Sequence, residues 1–326
     1  MSIPLTRFPV LVQEKILDFM DFYDLYSFSE TSKRSRSLSK RSAKRHEGHM
    51  KVSLHRCLKL KYKSSSHPNC NLKINLEDKG STFENLEKYL SIRHSSLFVN
   101  VTISLKICHW LFDFDFTLIT FDHLAQLGYP LKKCYVEGFK NNEAIVRALI
   151  TFRKAERVDM SIEPTTDFEK FDFVTPFTES LENESLQILY PDWVSPWHVN
   201  NVFNKCREVT LSDRMFSFAE SDVIEILKSW RTESSIRTLI LTFDLAGSIE
   251  DFGAKMVEMK AKPVQEAASS MEMKRQRRWG YVSSAWLLKQ INTGAEVLVT
   301  VGNYPHEGTR KDLHMKEEFE LEPENR

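Results

Sequence analysis

The run LKKCYVEGFKNNEAIVRALITFRKAERVDMSI, residues 131–162, sets how the rest of the chain is read. At its end, Val158, Met160 and Ile162 are separated by Asp159 and Ser161. That period of two is the pattern of a strand with one buried face, and 131–139 has strand character too. The middle, 142–155, reads as a helix. One strand and one helix of this length cannot bury their apolar faces alone, whereas stacked neighbours can.

The same rhythm continues in both directions. Strand-like segments are LKINL (72–76) and VNVTISLKI (99–107) on one side. On the other are LQILY (186–190), REVTLSD (207–213), IRTLILTFD (236–244) and AEVLVTVGN (295–303). Helix-like segments fall between them at 83–93, 121–128, 196–206 and 220–230. Through Phe243 the strands return roughly every 25 to 30 residues, the interval of leucine-rich-repeat-like units. The expectation is an irregular leucine-rich-repeat-like α/β solenoid over residues 71–305, with parallel strands on the concave face and helices outside. The leucine-rich consensus with its Asn is not kept within units, so an ordinary α/β domain is the alternative.

The totals bound what such a chain can be. Its 326 residues suffice for one large domain or two ordinary ones. A hydrophobic content of 41% with 22 Phe describes a globular protein. Lys plus Arg equals Asp plus Glu at 45 each, which removes any global pull toward nucleic acid or an anionic membrane. Five widely spaced cysteines, with no Cys-x-x-Cys pair, fit reduced thiols of the cytosol or nucleus. No secretion signal or uncharged apolar span of roughly 20 residues is present, so a cytoplasmic or nuclear protein is expected and no membrane partner. The sequons at Asn100 and Asn183 then read as chance matches.

The N-terminus follows different rules. Pro9 suits a helix start, and Val12, Ile16, Leu17 and Met20 form one stripe behind it. Asp21 or Asp24 suits the cap of a second helix bearing Leu25 and Phe28, and Ser29 or Ser32 that of a third bearing Leu38. About 45 residues is near the size below which a lone core is seldom sufficient, so something else must cover these stripes.

Pro4-Leu5, Phe8-Pro9, Val12, Ile16-Leu17, Leu25, Ser29, Ser32-Lys33 and Leu38 together resemble the F-box, which docks onto the Skp-type adaptor of a cullin–RING ubiquitin ligase. Phe8, Met20 and Phe28 stand where that family usually has Leu. The resemblance implies a three-helix module at 1–50, with an adaptor contact set of Pro4, Leu5, Phe8, Pro9, Val12, Ile16, Leu17, Met20, Leu25, Phe28 and Leu38. A second stretch, 192–243, is similar to the type-2 F-box-associated region of a nematode-type F-box family. It carries Trp193, His198, Cys206, Asp222, Leu227-Lys228-Ser229-Trp230 and Leu239. Arg231-Thr232-Glu233 replaces the Gly that usually follows the second Trp. The associated segment is thus expected at about 190–245.

Residues 51–70 read as a linker and 306–326 as a flexible acidic tail. The Met-rich charged segment 251–278 reads as packing on the last repeat. The basic run 33–51 lacks aromatic residues for stacking and any zinc-finger or basic-zipper spacing, which argues for a solvated helix face over a nucleic-acid site. Trp193, Trp197 and Trp230 read as fillers between units more readily than as binding anchors.

Catalytic signatures are missing. The groupings His67-Pro-Asn-Cys70 and Cys108-His109 do not supply four zinc ligands, and with 10 Gly the chain has no phosphate loop. Cys134 and Cys206 lie beside predicted strands, where buried structural thiols are common. No cofactor, metal or catalytic residue is expected. The chain is expected to be a non-catalytic substrate adaptor of an SCF-type ligase, its C-terminal region binding a substrate protein. The alternative is a scaffolding solenoid whose N-terminal helices only cap the fold.

Overall fold

The computed structural model describes residues 7–20, 28–29, 31–43, 48–54, 58–64, 71–76, 101–108, 131–138, 140–212, 217–264, 282–303 and 310–317. The chain divides into two units, Met1–Val136 and Glu137–Arg326.

In the first unit, α1 (Val10–Phe19) packs against α2 (Lys33–Ala43), and residues 28–29 and 31 are also helical. Ser32 caps α2 by accepting from the Ser35 amide at 3.0 Å, which satisfies one of the helix's orphan donors. Four strands follow: β1 (Gly48–Leu54), β2 (Leu58–Ser64), β3 (Asn71–Leu76) and β4 (Val101–Cys108). They lie in the order β4-β1-β2-β3, with β1 parallel to β4 and the other two pairs antiparallel. The linker expected at 51–70 is therefore mostly sheet. Leu58, Leu60 and Tyr62 alternate with Lys59, Lys61 and Lys63, so the basic density hides an amphipathic strand of period two. The helices expected at 83–93 and 121–128 lie outside the described residues. β5 (Leu131–Gly138) spans the division between the units.

The second unit begins with α3 (Asn142–Thr151), whose N-cap Asn141 accepts from the Ala144 amide at 2.8 Å. Then come β6 (Arg157–Ile162), β7 (Ser185–Ile188), β8 (Glu208–Leu211), β9 (Phe218–Ala219), α4 (Glu220–Thr232) and β10 (Thr238–Asp244). α5 (Ile249–Glu258), β11 (Lys262–Pro263), β12 (Val282–Lys289), β13 (Glu296–Asn303) and β14 (Arg310–Lys316) complete it. Within the unit the strand order is β11-β12-β13-β14-β10-β8-β7-β6, with β9 on β10.

From β6 to β10 the main strands are parallel neighbours in sequence order, the arrangement expected when each crossover returns beside the last strand. Beyond β10 the pairing turns antiparallel, and the solenoid expected through 305 does not continue as strand–helix units. Residues 290–295 between β12 and β13 are too few for a crossover and form a turn, with Gly294 at φ +76°. The tail expected to be flexible from 306 contains β14, which lies between β10 and β13 with Leu313 and Met315 fully buried. Those two apolar residues alternate with Asp312 and His314, while the acidity of the tail lies farther on.

Register explains where the core sits. Val158, Leu186, Val209, Leu239, Met315 and Val299 form one row across six strands, and all are buried. The offset row reads Asp159, Gln187, Thr210, Ile240, His314 and Thr300, so the opposite face is largely polar. α5 covers the apolar face. Its Phe252 ring lies 5.4 Å from Phe243 and 5.7 Å from Trp286. A Cβ at Gly253 would sit 3.3 Å from the Trp286 ring, so glycine lets α5 approach this closely.

Buried amides tie the layers together. Asn183 donates to the carbonyls of Phe152 and Ala155 at 2.9 and 2.7 Å. Gln290 does the same for Trp230 and Ser234 at 3.0 and 2.9 Å. Each fills the carbonyl sites left at the end of a helix. A glycan at Asn183 is incompatible with this burial. The 196–206 helix is a wide turn, π-helical over His198–Val202.

Candidate functional site

The candidate site is the outer face of α1. Pro9 precedes the helix with extended backbone, and its carbonyl accepts from the Val12 and Gln13 amides at 2.9 and 3.0 Å. The buried Gln13 amide is satisfied by donating to the Phe8 carbonyl. This couples the chain entering the helix to its first turn.

Gln13 and Leu17, four residues apart, occupy the inner face, and Leu17 is fully buried. Val12, Ile16 and Phe19, at intervals of four and three, occupy a different face. Here the exposure is unusual for apolar side chains. Val10 is 50% exposed, Leu11 75%, Val12 39% and Phe19 89%, with Ile16 and Met20 half-buried. Apolar side chains held together in water on one helix mark an interaction surface.

Of the expected contact set, Pro9 and Val12 are exposed, whereas Phe8, Ile16, Met20 and Phe28 are half-buried. Leu17 and Leu38 do not offer surface; they point inward and hold the helices. Pro4, Leu5 and Leu25 lie outside the described residues. Sequence reading missed Val10, Leu11 and Phe19. The signal was available for Phe19, which completes the Val12–Ile16 spacing, but Leu17 and Met20 offered an equally good stripe.

On α2, Ser35 and Ser39 are buried while Lys33, Arg34 and Ser37 are exposed, so the described cations sit on a solvated face. Thr31 binds the Phe28 carbonyl at 2.7 Å and the Ser35 hydroxyl at 2.9 Å, closing the turn before α2.

The residues weighed for chemistry are placed otherwise. Cys206 is fully buried, and burial pushes its thiol up to about 12, so it is no nucleophile near neutral pH. Cys134 is buried as well. Among the described residues no group of three His, Cys, Asp or Glu side chains is placed to hold a metal, and no helix is long and apolar enough to cross a membrane. Trp193 and Trp230 fill the interior; the Trp230 indole donates to the Ile236 carbonyl at 2.8 Å. Trp197 stays 36% exposed.

Residues 5–47 match the family model of the F-box domain, a span that contains α1 and α2 and ends immediately before β1. No curated protein and no solved structure matches the chain.

Proposed function

We propose that the F-box at 5–47 docks this chain onto a Skp-type adaptor, making it a substrate-recognition subunit of an SCF-type cullin–RING ubiquitin ligase. The observation that carries this reading is the bare apolar face of α1 inside the matched span. In water these side chains cost free energy that a partner's helices recover by covering them.

The contact set is then Phe8, Pro9, Val12, Ile16, Met20 and Phe28, extended by Val10, Leu11 and Phe19, with Pro4, Leu5 and Leu25 contributed by the flanking chain. Leu17 and Leu38 act from behind by fixing the angle of the helices. The second unit holds a substrate protein near the ligase's charged ubiquitin, which raises effective concentration and needs no proton transfer by this chain. The similarity of 192–243 to the type-2 F-box-associated region supports placing recognition there, and the parallel run β6–β10 supports its relation to leucine-rich-repeat-like folds. We place the protein in the cytoplasm or nucleus.

Co-purification of the full chain with a recombinant Skp-type adaptor tests the reading. Replacing Pro9 and Ile16 together is expected to abolish the complex while leaving the second unit folded. Survival of the complex in that variant would remove these contacts from the interface. Failure of the unaltered chain to bind any Skp-type adaptor would favour the scaffolding alternative.

A further inference from the structure

The connection between β6 and β7 has a charge pattern unlike the balanced chain around it. From Glu163 to Glu184 there are seven acidic residues and one basic residue, Lys170. Glu163, Glu179 and Glu184 pair with Lys140, Arg153 and Arg207 at 3.0, 3.0 and 3.5 Å. Glu169, Asp172 and Glu182 are exposed and have no ion-pair partner among the described residues. Hydrogen bonds from the Thr175 side chain and amide, and from the Val174 amide, hold the Asp172 carboxyl below its usual range.

This connection is tied down. Asn142 exchanges hydrogen bonds with Thr165 at 2.7 and 2.9 Å. Ser180 and Leu181 donate to the carbonyls of Asn201 and Val202 at 2.9 and 2.7 Å, fastening it to the π-helical turn. On that anchored base, Phe177 and Trp197 both meet the buried His198 ring edge-on, at 6.2 and 5.3 Å. Val174, whose carbonyl accepts from the Phe177 amide at 3.1 Å, is 43% exposed. Phe177 and the exposed Trp197 thus flank one buried ring, with the exposed Val174 tied to Phe177 through the backbone, and the loop that carries Val174 and Phe177 also carries carboxylates with no ion-pair partner among the described residues. A tethered loop that keeps aromatic surface in water has already lost the entropy that a free loop would lose on binding.

We infer that this surface docks an extended, Lys/Arg-rich segment of another protein, with a cation over the exposed Trp197 ring and an apolar side chain against Val174 and Phe177. The ring face attracts a cation, and the loop's surplus carboxylates steer basic chain toward it and reject acidic chain. The site belongs to the second unit and stands whether or not the F-box engages an adaptor.

Fluorescence anisotropy on the full chain tests it with two labelled probes: a Lys/Arg-rich peptide carrying one Leu, and the same peptide with Glu at every basic position. Saturable binding of the basic probe is expected, weakening with added salt, with no binding of the acidic one. Trp197→Ala should weaken binding about tenfold and Trp197→Phe much less. Glu169→Lys combined with Glu182→Lys alters exposed side chains only, and should also weaken binding about tenfold. That second variant decides the matter should Trp197→Ala melt early. Equal binding of both probes, no saturable binding of the basic probe, or insensitivity to the charge reversal would overturn the inference.

Discussion

Phe19 and Leu17 lie two residues apart on α1, and the structure gives them opposite duties. At 89% exposure, Phe19 presents roughly 180 Å² of the ~200 Å² a phenylalanine can bury. At ~25 cal/mol per Å², covering it fully contributes about 4.5 kcal/mol as an upper bound. About half of that is realised once ordering and imperfect fit are subtracted, which is the scale of a binding hot spot. Phe19→Ala is therefore expected to weaken adaptor binding by ~2 kcal/mol, roughly 30-fold in Kd, while leaving the melting temperature nearly unchanged. Leu17→Ala is expected to do the reverse. It empties a fully buried site and costs about 2–5 kcal/mol of stability. Calorimetric titration of the purified full chain with a Skp-type adaptor, alongside thermal melts of both variants, reads the two effects separately. A folded Phe19→Ala chain that binds within about threefold of the unaltered chain would refute the assignment of this face to the adaptor.

Other consequences follow from the second unit. His198 is buried, with Nδ1 accepting from the Ser195 amide at 3.1 Å and Nε2 facing the Phe173 carbonyl at 3.1 Å, and burial lowers its pKa from the ordinary value of 6.5. The unfolded chain then binds the proton more readily, so the stability held above about pH 6.5 is lost as pH falls toward the folded value. Chemical melts of His198→Asn against the unaltered chain, taken from neutral to mildly acid pH, should show a shallower acid slope in the variant. Asn183→Ala removes both donors to the Phe152 and Ala155 carbonyls and is expected to cost about 2–4 kcal/mol, read from the shift of the urea midpoint. Ser248→Ala removes the side chain that caps α5 through the Asp251 amide at 3.1 Å, and should cost about 1 kcal/mol in the same assay.

Period-two alternation was legible at β6 and β8, and an apolar run at β10, which is why those strands fell where the residues placed them. It failed at β2, where lysine at every second position resembled a charge run, and at β14, where two apolar residues were outweighed by the acidic residues beyond them. In both cases local composition averaged away an alternation that pairing with a neighbouring strand makes decisive. The N-terminal motif was legible for a different reason, since its residues match a known family pattern at fixed spacing.

The amino-acid order by itself determined that α1 is amphipathic, that the strands from Arg157 to Asp244 repeat with crossovers, and that residues 5–47 carry the F-box pattern. Only the tertiary structure decided which side of α1 turns inward, because Leu17 and Phe19 are equally apolar and a helical stripe does not say what covers it. It likewise decided that the sheet turns antiparallel after β10 and takes the last described strand between β10 and β13. Such pairings join residues seventy or more positions apart in the chain, as at Thr242 and Asp312 or Thr238 and Lys316, and no local window of sequence encodes them.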